Sequence, residues 1–157
     1  MDGDILLLLG SNLGNRLSNL KEARRQLGTV VASSSIYETA AWGNPNQGSF
    51  LNQVVEIDTD LSPEDLLKKI KDIEITMGRH RIEKWGPRII DIDILFYNDT
   101  SINTPDLIIP HPEIQNRRFT LVPLLELTNM VHPVLKKTIG QLLEECKDPL
   151  PVTRLPH

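Results

Sequence analysis

The order of the predicted strands and helices is the feature that most constrains what this chain can fold into. Apolar and β-branched runs predict strands over 4–9, 29–39, 50–58 and 89–97, and helical spacing predicts helices over 16–27 and 62–77. The order β-α-β-β-α-β is that of the ferredoxin-like arrangement. We therefore predict an α+β fold, with an antiparallel sheet that carries the helices on one face. A C-terminal hairpin (101–103 and 107–109) and short helices at 117–127 and 138–146 would follow.

Both long helices have recognisable ends. The first is predicted to stop before Gly28, and its apolar positions at helical spacing are Leu17, Leu20 and Leu27. The second begins at Ser62, whose hydroxyl can cap free N–H groups, and Pro63 suits the first turn. It is predicted to end at Gly78.

Composition narrows the class of protein. The 157 residues are 39% hydrophobic and 24% charged, as in an ordinary globular protein, so we expect one domain over 1–157. A net charge of −4 argues against general nucleic-acid binding. The longest aliphatic run, 5–9, is far shorter than the roughly 20 residues of a membrane helix. The single cysteine cannot form an internal disulfide, so we expect a cytoplasmic protein, and we expect it to be a monomer.

Positive charge is concentrated in one predicted loop, 79–88. The loop has a single acid, Glu83, among the cationic side chains of Arg79, His80, Arg81, Lys84 and Arg88. A cationic patch on an acidic protein favours a small anionic ligand over a polymer. The simpler alternative is a solvated loop.

Two aspartates follow this loop directly. Asp91 and Asp93 are two apart on a predicted strand, so both carboxylates lie on one face and Ile90, Ile92 and Ile94 take the other. Two carboxylates at this spacing repel each other unless a cation lies between them, and oxygen ligands of this kind suit Mg²⁺. The alternative is a solvent-facing strand with two ordinary acids.

Five further side chains are candidates for a site, and each has a simpler explanation. Trp85 and Phe50 could stack on a planar heterocycle or fill the core. Asn52 could read the edge of a heterocycle or lie at the surface. Glu74 is by itself expected to be solvated, and His111, between two prolines, could contact a phosphate or a base or have no role.

Without any further knowledge, these residues indicate metal-dependent phosphoryl transfer with no defined substrate. Arginine binds phosphate through two parallel hydrogen bonds, and metal ions neutralise the negative charge of the phosphate. The sequence has no Walker P-loop and no kinase catalytic loop. Two alternatives stay open: a nucleotidyl- or glycosyl-transferase that uses the Asp-x-Asp pair, and a ferredoxin-like regulatory module that senses a small ligand.

The segment 84–95, KWGPRIIDIDIL, resembles the signature of the hydroxymethyldihydropterin pyrophosphokinase family of folate biosynthesis. Weaker similarities occur in the same order at 10–14, 34–39, 50–52, 78–79, 102–104, 110–111, 116–117, 119 and 123–124. The resemblance implies a ferredoxin-like core. It also implies transfer of the β,γ-pyrophosphate of ATP to the hydroxymethyl oxygen of 6-hydroxymethyl-7,8-dihydropterin, with release of AMP.

The resemblance also implies roles for individual residues. The catalytic arginines would be Arg79, Arg81 and Arg88, and two Mg²⁺ ions would be held by Asp91 and Asp93. The ATP site would contain Lys71, Glu74, Arg81, Trp85, Arg88, Ile94, His111 and Arg117. The pterin site would contain Thr39, Ala40, Trp42, Phe50, Asn52, Trp85, Asp91 and Phe119.

Three positions depart from the family pattern. Lys71 replaces a common glutamine, and Asp106 and Pro112 replace an arginine and a tyrosine that some members place against ATP. The loop at 79–88 is also one residue shorter than in some members. An inward-pointing Asp106 would repel phosphate, so we expect weaker or rearranged nucleotide contacts there, with the reaction retained.

Overall fold

The computed structural model describes residues 4–40, 48–78 and 89–156. In chain order the elements are β1 (Ile5–Ser11), α1 (Arg16–Leu27), β2 (Val30–Ser33), β3 (Tyr37–Thr39), β4 (Phe50–Ile57), α2 (Pro63–Thr76), β5 (Asp91–Tyr97), β6 (Ile102–Asn103), β7 (Ile108–Ile109), a 3-10 helix (Ile114–Asn116), α3 (Arg118–Leu127), α4 (Ile139–Glu145) and β8 (Thr153–Arg154).

The main sheet has the strand order β5-β1-β4-β3-β8, and β2 also pairs with β4. Each of these pairs is antiparallel, and β6 and β7 form the predicted hairpin. The two central strands, β1 and β4, thus lie between β5 and the β2–β3 segment. This confirms the predicted α+β, ferredoxin-like arrangement.

One face of the sheet packs against α1 and α2. Leu7 and Leu9 of β1 share a core with Leu20 and Leu27 of α1 and with Ile70 of α2. The predicted stripe of α1 was wrong at one position, because Leu17 is 54% exposed and Ala23 is buried instead. At 3.6 residues per turn, Leu17 lies about 80° around the helix axis from Leu27, outside the buried stripe.

The opposite face packs against α3 and α4. Leu6 and Leu8 of β1 alternate with the residues above and share a second core with Phe96, Leu121 and Ile139. The C-terminal helices therefore complete a three-layer domain, a placement that the sequence did not indicate. None of the helices in the described ranges has a stretch long and apolar enough to cross a membrane.

The predicted helix ends are confirmed. Gly28 has a φ of 85°, and its N–H donates to the Arg24 carbonyl at 3.2 Å, which closes α1. A side chain would be strained in this left-handed conformation, whereas glycine adopts it readily. At the start of α2 the Ser62 hydroxyl accepts the Asp65 N–H at 3.1 Å, and Pro63 is the first helical residue.

The predicted single strand over 29–39 is wrong, because it is broken into β2 and β3. At the break, side chains form hydrogen bonds with backbone groups that strand pairing would otherwise use. The Ser34 hydroxyl accepts the Val54 N–H at 3.0 Å, and the Gln53 amide donates to the Ser34 carbonyl at 2.8 Å. Serine side chains compete for backbone groups in this way and interrupt regular pairing.

Candidate active site

A row of four paired residues crosses one end of the sheet. Tyr37 of β3 lies opposite Asn52 of β4, Asn52 opposite Gly10 of β1, and Gly10 opposite Asp91 of β5. Residues directly opposite each other in antiparallel strands present their side chains on the same face. The row lies on the face covered further along by α3 and α4, so Asn52 and Asp91 flank a position with no side chain.

Gly10 lies in tight contact with two side chains of β4. A Cβ placed there would lie 3.0 Å from Asn52 Oδ1 and 3.5 Å from Phe50 Cδ1. Both side chains therefore lie close to the Gly10 backbone, in the space that a side chain at residue 10 would take.

The predicted pterin residues on β3 and β4 lie together. Asn52 is 3% exposed, and its Nδ2 donates to Thr39 Oγ1 at 3.0 Å. Thr39 is equally buried, Phe50 is half-buried, and Ala40 is exposed. The surface position that was an alternative for Asn52 is therefore wrong, and a buried amide of fixed orientation stands beside Gly10.

The two aspartates of β5 share a face, as predicted. Asp91 lies opposite Gly10 and Asp93 opposite Leu8, while Ile92 and Ile94 are buried against the α1–α2 side. Both aspartates are half-buried. Two carboxylates are thus aligned along one strand next to the row that contains Asn52.

A pocket of about 330 Å³ lies along the outer edge of β5. Its walls combine apolar side chains with several ionisable ones, and they include four predicted ATP residues and all three departures from the family pattern. The lining residues are Leu67, Ile70, Lys71, Glu74, Asp91, Ile92, Asp93, Ile94, Asp106, Leu107, Ile108, His111 and Pro112. A concave site that combines apolar walls with several ionisable side chains suits a small polar or charged molecule.

Glu74 is buried, contrary to the expectation for a lone glutamate near a helix end. It is 5% exposed, and its Oε2 accepts the N–H of Ile92 at 2.9 Å. Ile92 lies between Asp91 and Asp93, so this bond from α2 fixes the backbone that carries both aspartates. Glu74 therefore lines the pocket and also positions its neighbours.

His111 lines the same pocket in its neutral form. Burial and the nearby Arg117 charge lower the pKa of His111 to about 4. Its backbone N–H donates to the Leu95 carbonyl at 3.0 Å, and its Nδ1 accepts the Glu113 N–H at 3.1 Å. Because Nδ1 is an acceptor, the proton of the neutral ring is on Nε2, which makes Nε2 a hydrogen-bond donor. His111 is therefore held in a fixed orientation in the pocket wall, with a hydrogen-bond donor available.

The start of α3 presents Arg117 and Phe119. The Arg117 guanidinium carbon lies 5.6 Å from the Phe119 ring centroid. Asp148, a buried residue that the sequence did not single out, accepts the Arg118 N–H at 3.2 Å and so holds this end of the helix. Arg117 and Phe119 do not line the pocket themselves. The charge of Arg117 nevertheless lies close enough to lower the pKa of His111, which does line it.

Several predicted residues lie outside the described part of the chain. These are the candidate catalytic arginines and the two tryptophans, namely Arg79, Arg81, Arg88, Trp42 and Trp85. Their roles stay predictions.

The chain on both sides of 41–47 is tied to α1 by a polar cluster that sequence reasoning missed. Arg16 Nη1 donates to Glu38 Oε2 at 2.9 Å and to the Ser49 carbonyl at 3.1 Å. The Ser49 hydroxyl also donates to Glu38 at 2.6 Å, and with Arg16 it lowers the pKa of Glu38. No motif signals this cluster, because its members are separated by up to 33 residues.

Comparison with known proteins decides the family. A family model described as 7,8-dihydro-6-hydroxymethylpterin-pyrophosphokinase (HPPK) matches residues 6–129. The chain belongs to this family. The match includes both aspartates, the Gly10–Asn52 row and the pocket, and the resemblance drawn from 84–95 is confirmed.

HPPK relatives of similar length support the assignment. The 2-amino-4-hydroxy-6-hydroxymethyldihydropteridine pyrophosphokinase of Aquifex aeolicus is 44% identical over 145 residues, which are 90% of this chain and 91% of that protein. The enzyme of the same name from Bacillus subtilis is 43% identical over 136 residues, covering 83% of this chain and 81% of that protein.

Solved structures agree on the fold. A crystal structure of Plasmodium falciparum HPPK-DHPS has a TM-score of 0.73 and 20% identity over 92% of this chain. This chain spans 42% of that longer chain. The likeness therefore supports the HPPK fold for this chain and says nothing of the remaining part of the longer protein.

Proposed function

We propose that this chain transfers the β,γ-pyrophosphate of ATP to the hydroxymethyl oxygen of 6-hydroxymethyl-7,8-dihydropterin. The products are the pterin diphosphate and AMP. Membership of the HPPK family gives the reaction, and one observation connects it with this chain: Asp91 lines the pocket beside β5 and also belongs to the row that contains Gly10 and Asn52. A group bound on the row and a group bound in the pocket therefore meet at Asp91.

The pocket is the proposed ATP site. Ile94 and Leu107 give apolar walls for a flat base, and the Nε2–H of His111 is a donor for a base or phosphate oxygen. Lys71 adds a positive charge and Asp106 a negative one. Arg81, Arg88 and Arg117 would supply further charge to the phosphates, and Trp85 would contact the nucleotide.

The aspartate pair suits Mg²⁺. Asp91 and Asp93 offer oxygen ligands on one face, next to the proposed phosphates. Among the described residues, no three His, Cys, Asp or Glu side chains are grouped to hold a metal alone. The pair therefore fits ions whose coordination is completed by phosphate oxygens and water, and we propose two of them. Bound there, the ions would neutralise charge on the transferred group.

The row is the proposed pterin site. Neighbouring strands are about 4.8 Å apart, so Asn52 and Asp91 lie roughly 10 Å apart with the bare Gly10 between them. A bicyclic ring laid over Gly10 could place one edge at the fixed amide of Asn52 and its hydroxymethyl group at Asp91. Phe50, Phe119 and Trp85 would contact its faces, with Thr39, Ala40 and Trp42 at its rim.

The chemistry then depends mainly on alignment. The pterin alcohol attacks the β-phosphorus of ATP in line with the departing AMP oxygen, and positioned side chains stabilise the charge. The Glu74 bond to the Ile92 N–H keeps both aspartates in place during this step. Arg79, Arg81 and Arg88 would supply positive charge to the transferred group.

A phosphorus NMR assay with ATP, Mg²⁺ and 6-hydroxymethyl-7,8-dihydropterin tests the proposal. We expect AMP and a pterin diphosphate to form together, and only when all three components are present. Asp93→Ala should lower turnover at least about 100-fold, because it removes charge stabilisation at the transferred group. Asp99→Ala, in the exposed turn after β5, is the matched control and should be fully active.

Each of the other outcomes contradicts the proposal in a recognisable way. ADP or free pyrophosphate as product would indicate a different transferase. Absence of nucleotide turnover by folded protein would favour the regulatory module, for which Asp93→Ala would also have no effect.

We also propose that residues 1–157 act as one domain, as a monomer in the cytoplasm. Both hydrophobic cores share β1, β4 and β5, which supports the single domain. Sedimentation equilibrium would test the monomer, and a mass of twice the chain would refute it.

A further inference from the structure

Glu126, near the end of α3, binds two groups on the segment that leads into β3. Its Oε1 accepts the Ser35 N–H at 2.8 Å, and its Oε2 accepts the Tyr37 hydroxyl. These partners are about ninety residues earlier in the chain, at separations of 91 and 89. One carboxylate thus ties the third layer of the domain to the sheet.

The tie lies next to the proposed pterin residues of the sheet. Tyr37 is 7% exposed and stands directly opposite Asn52 in the pairing of β3 with β4. Thr39 follows two residues later on the same face, and its hydroxyl receives the Asn52 amide at 3.0 Å. A shift of β3 would therefore move the oxygen that orients Asn52.

The other end of the same helix carries Phe119, another of the proposed pterin residues. Phe119 lies in the first turn of α3 and packs on the core that the helix covers. That end is held by Asp148, which accepts the Arg118 N–H at 3.2 Å. With Asp148 at the start and Glu126 near the end, α3 is fixed to the rest of the domain at two points.

We propose that Glu126 is a positioning residue that sets the width of the pterin cleft, defined as the space between Asn52 with Thr39 on the sheet and Phe119 on α3. The inference rests on the proposed function, since it assumes that the pterin lies in this cleft. Glu126 lies at the opposite end of α3 from Phe119, so its effect would come through the placement of α3 against β3.

The charge state of the tie is stable. Burial and the bond to Glu126 raise the pKa of Tyr37 to about 12, so its hydroxyl keeps its proton and donates it. Burial alone would raise the pKa of Glu126, but the hydrogen bonds from Ser35 and Tyr37 lower it overall. The tie therefore persists over the neutral pH range in which the enzyme would be assayed.

The geometry allows a matched pair of substitutions. Glu126→Ala removes both acceptors. Glu126→Gln keeps both bonds, because its carbonyl oxygen can accept the Ser35 N–H while its NH₂ group donates to the Tyr37 oxygen, which is also an acceptor. A role in positioning predicts rescue by glutamine, whereas a role for the negative charge predicts that glutamine behaves like alanine.

The experiment measures kcat, KM for the pterin and KM for ATP, with the affinity for 6-hydroxymethylpterin measured in parallel by fluorescence titration. Glu126→Ala should raise the pterin KM and dissociation constant about tenfold. Two hydrogen bonds are lost, and only part of their free energy is expected to appear as weaker pterin binding. The ATP KM should rise less than the pterin KM, because Arg117 is the one proposed ATP residue at the start of α3. Glu126→Gln should stay within threefold of wild type. Glu144→Ala, at an exposed position on α4, is the control and should match wild type.

Several results would overturn the inference. These are an unchanged pterin affinity in folded Glu126→Ala, an equal rise in both KM values, or a glutamine variant as impaired as alanine. If Glu126→Ala does not fold, Tyr37→Phe replaces it, since it removes one of the two bonds. It should weaken pterin binding about threefold, and an unchanged value would refute the inference. Wild-type protein that binds the pterin without turnover would contradict the proposed function alone, and the affinities would still decide the role of Glu126.

Discussion

Replacement of Gly10 by alanine tests the idea that a bare sheet surface forms the floor of the pterin site. The new Cβ would lie 3.0 Å from Asn52 Oδ1, closer than carbon and oxygen normally approach. Asn52 has to move by a few tenths of an ångström, but its Nδ2 is bound to Thr39 Oγ1 at 3.0 Å. Because β4 lies between β1 and β3, the amide either keeps the clash or shifts against Thr39 and distorts this bond.

The expected effect on stability is small. Loss of one buried hydrogen bond destabilises a protein by about 1 kcal/mol. Replacing glycine offsets part of this loss of stability. Alanine lowers the conformational entropy of the unfolded chain, which stabilises the folded protein by about 0.4–1 kcal/mol. The net change of about 0–1 kcal/mol corresponds to a fall in Tm of roughly 0–4 °C for a chain of this length.

The expected effect on pterin binding is larger. A turned Asn52 amide loses its hydrogen bonds to the ligand, and about 1.4 kcal/mol of lost binding is a tenfold change in affinity. We therefore expect the pterin KM of Gly10→Ala to rise about tenfold in the steady-state assay, with the ATP KM unchanged.

Gly48→Ala is the matched control for this substitution. Among the described residues, a Cβ on Gly48 meets only the Asn12 carbonyl oxygen, at 3.7 Å, which is an ordinary contact. Its pterin KM should stay within twofold of wild type. An unchanged pterin KM in Gly10→Ala, or an equal rise in both variants, would refute the reasoning.

Three further predictions concern the pocket. Glu74→Ala leaves the buried Ile92 N–H without its partner, so Tm should fall by about 2–8 °C in calorimetry and kcat should fall as well. Asp106→Asn removes a negative charge from the lining of the proposed ATP pocket and should lower the ATP KM about two- to fivefold in initial-rate assays. Burial, with Arg117, lowers the pKa of His111 to about 4, below its usual value of 6.5. The unfolded chain therefore binds more protons between these values, and stability should fall as pH decreases from 6.5 to 4. In urea unfolding His111→Asn should lose that part of the pH dependence, and an unchanged pH profile would contradict the assignment.

Features set by residues close in the chain could be predicted from the sequence. The ends of α1 and α2 follow from Gly28, Ser62 and Pro63, whose effects act within one helical turn. The shared face of Asp91 and Asp93 follows from strand alternation alone. The family signature at 84–95 supplied the reaction, which neither composition nor periodicity could give.

Strand alternation failed where long-range packing interrupts it. The pairing of β1 with β5 shifts register between Leu6 and Leu7, so that Leu95 and Phe96 both pack on the α3–α4 side. Strict alternation from Asp91 would put Tyr97 on the aspartate face, but its hydroxyl donates to the Leu61 carbonyl and its ring packs on the other core. A bulge of this kind depends on the partner strand, which the local sequence does not reveal.

Polar contacts between distant segments were the other omission. Glu126, Asp148 and the Arg16–Glu38 pair each join parts of the chain that are more than twenty residues apart. Their residue types are common on surfaces, so composition gives no signal for them. They are recognised only when the fold brings donor and acceptor together.

The position of the proposed ATP pocket follows from the place of β5 in the sheet. β5 ends the strand order, so its outer edge would expose backbone groups to pairing with other chains. Glu74 from α2 accepts the Ile92 N–H on this edge, and the backbone of His111 donates to the Leu95 carbonyl further along it. Glu74 and His111 each contact β5 at one point of this edge. The space beside the edge between these contacts is the pocket. The residues that protect this edge strand, Glu74 and His111, thus also line the proposed nucleotide site, and the aspartate pair lies on the strand that they cover.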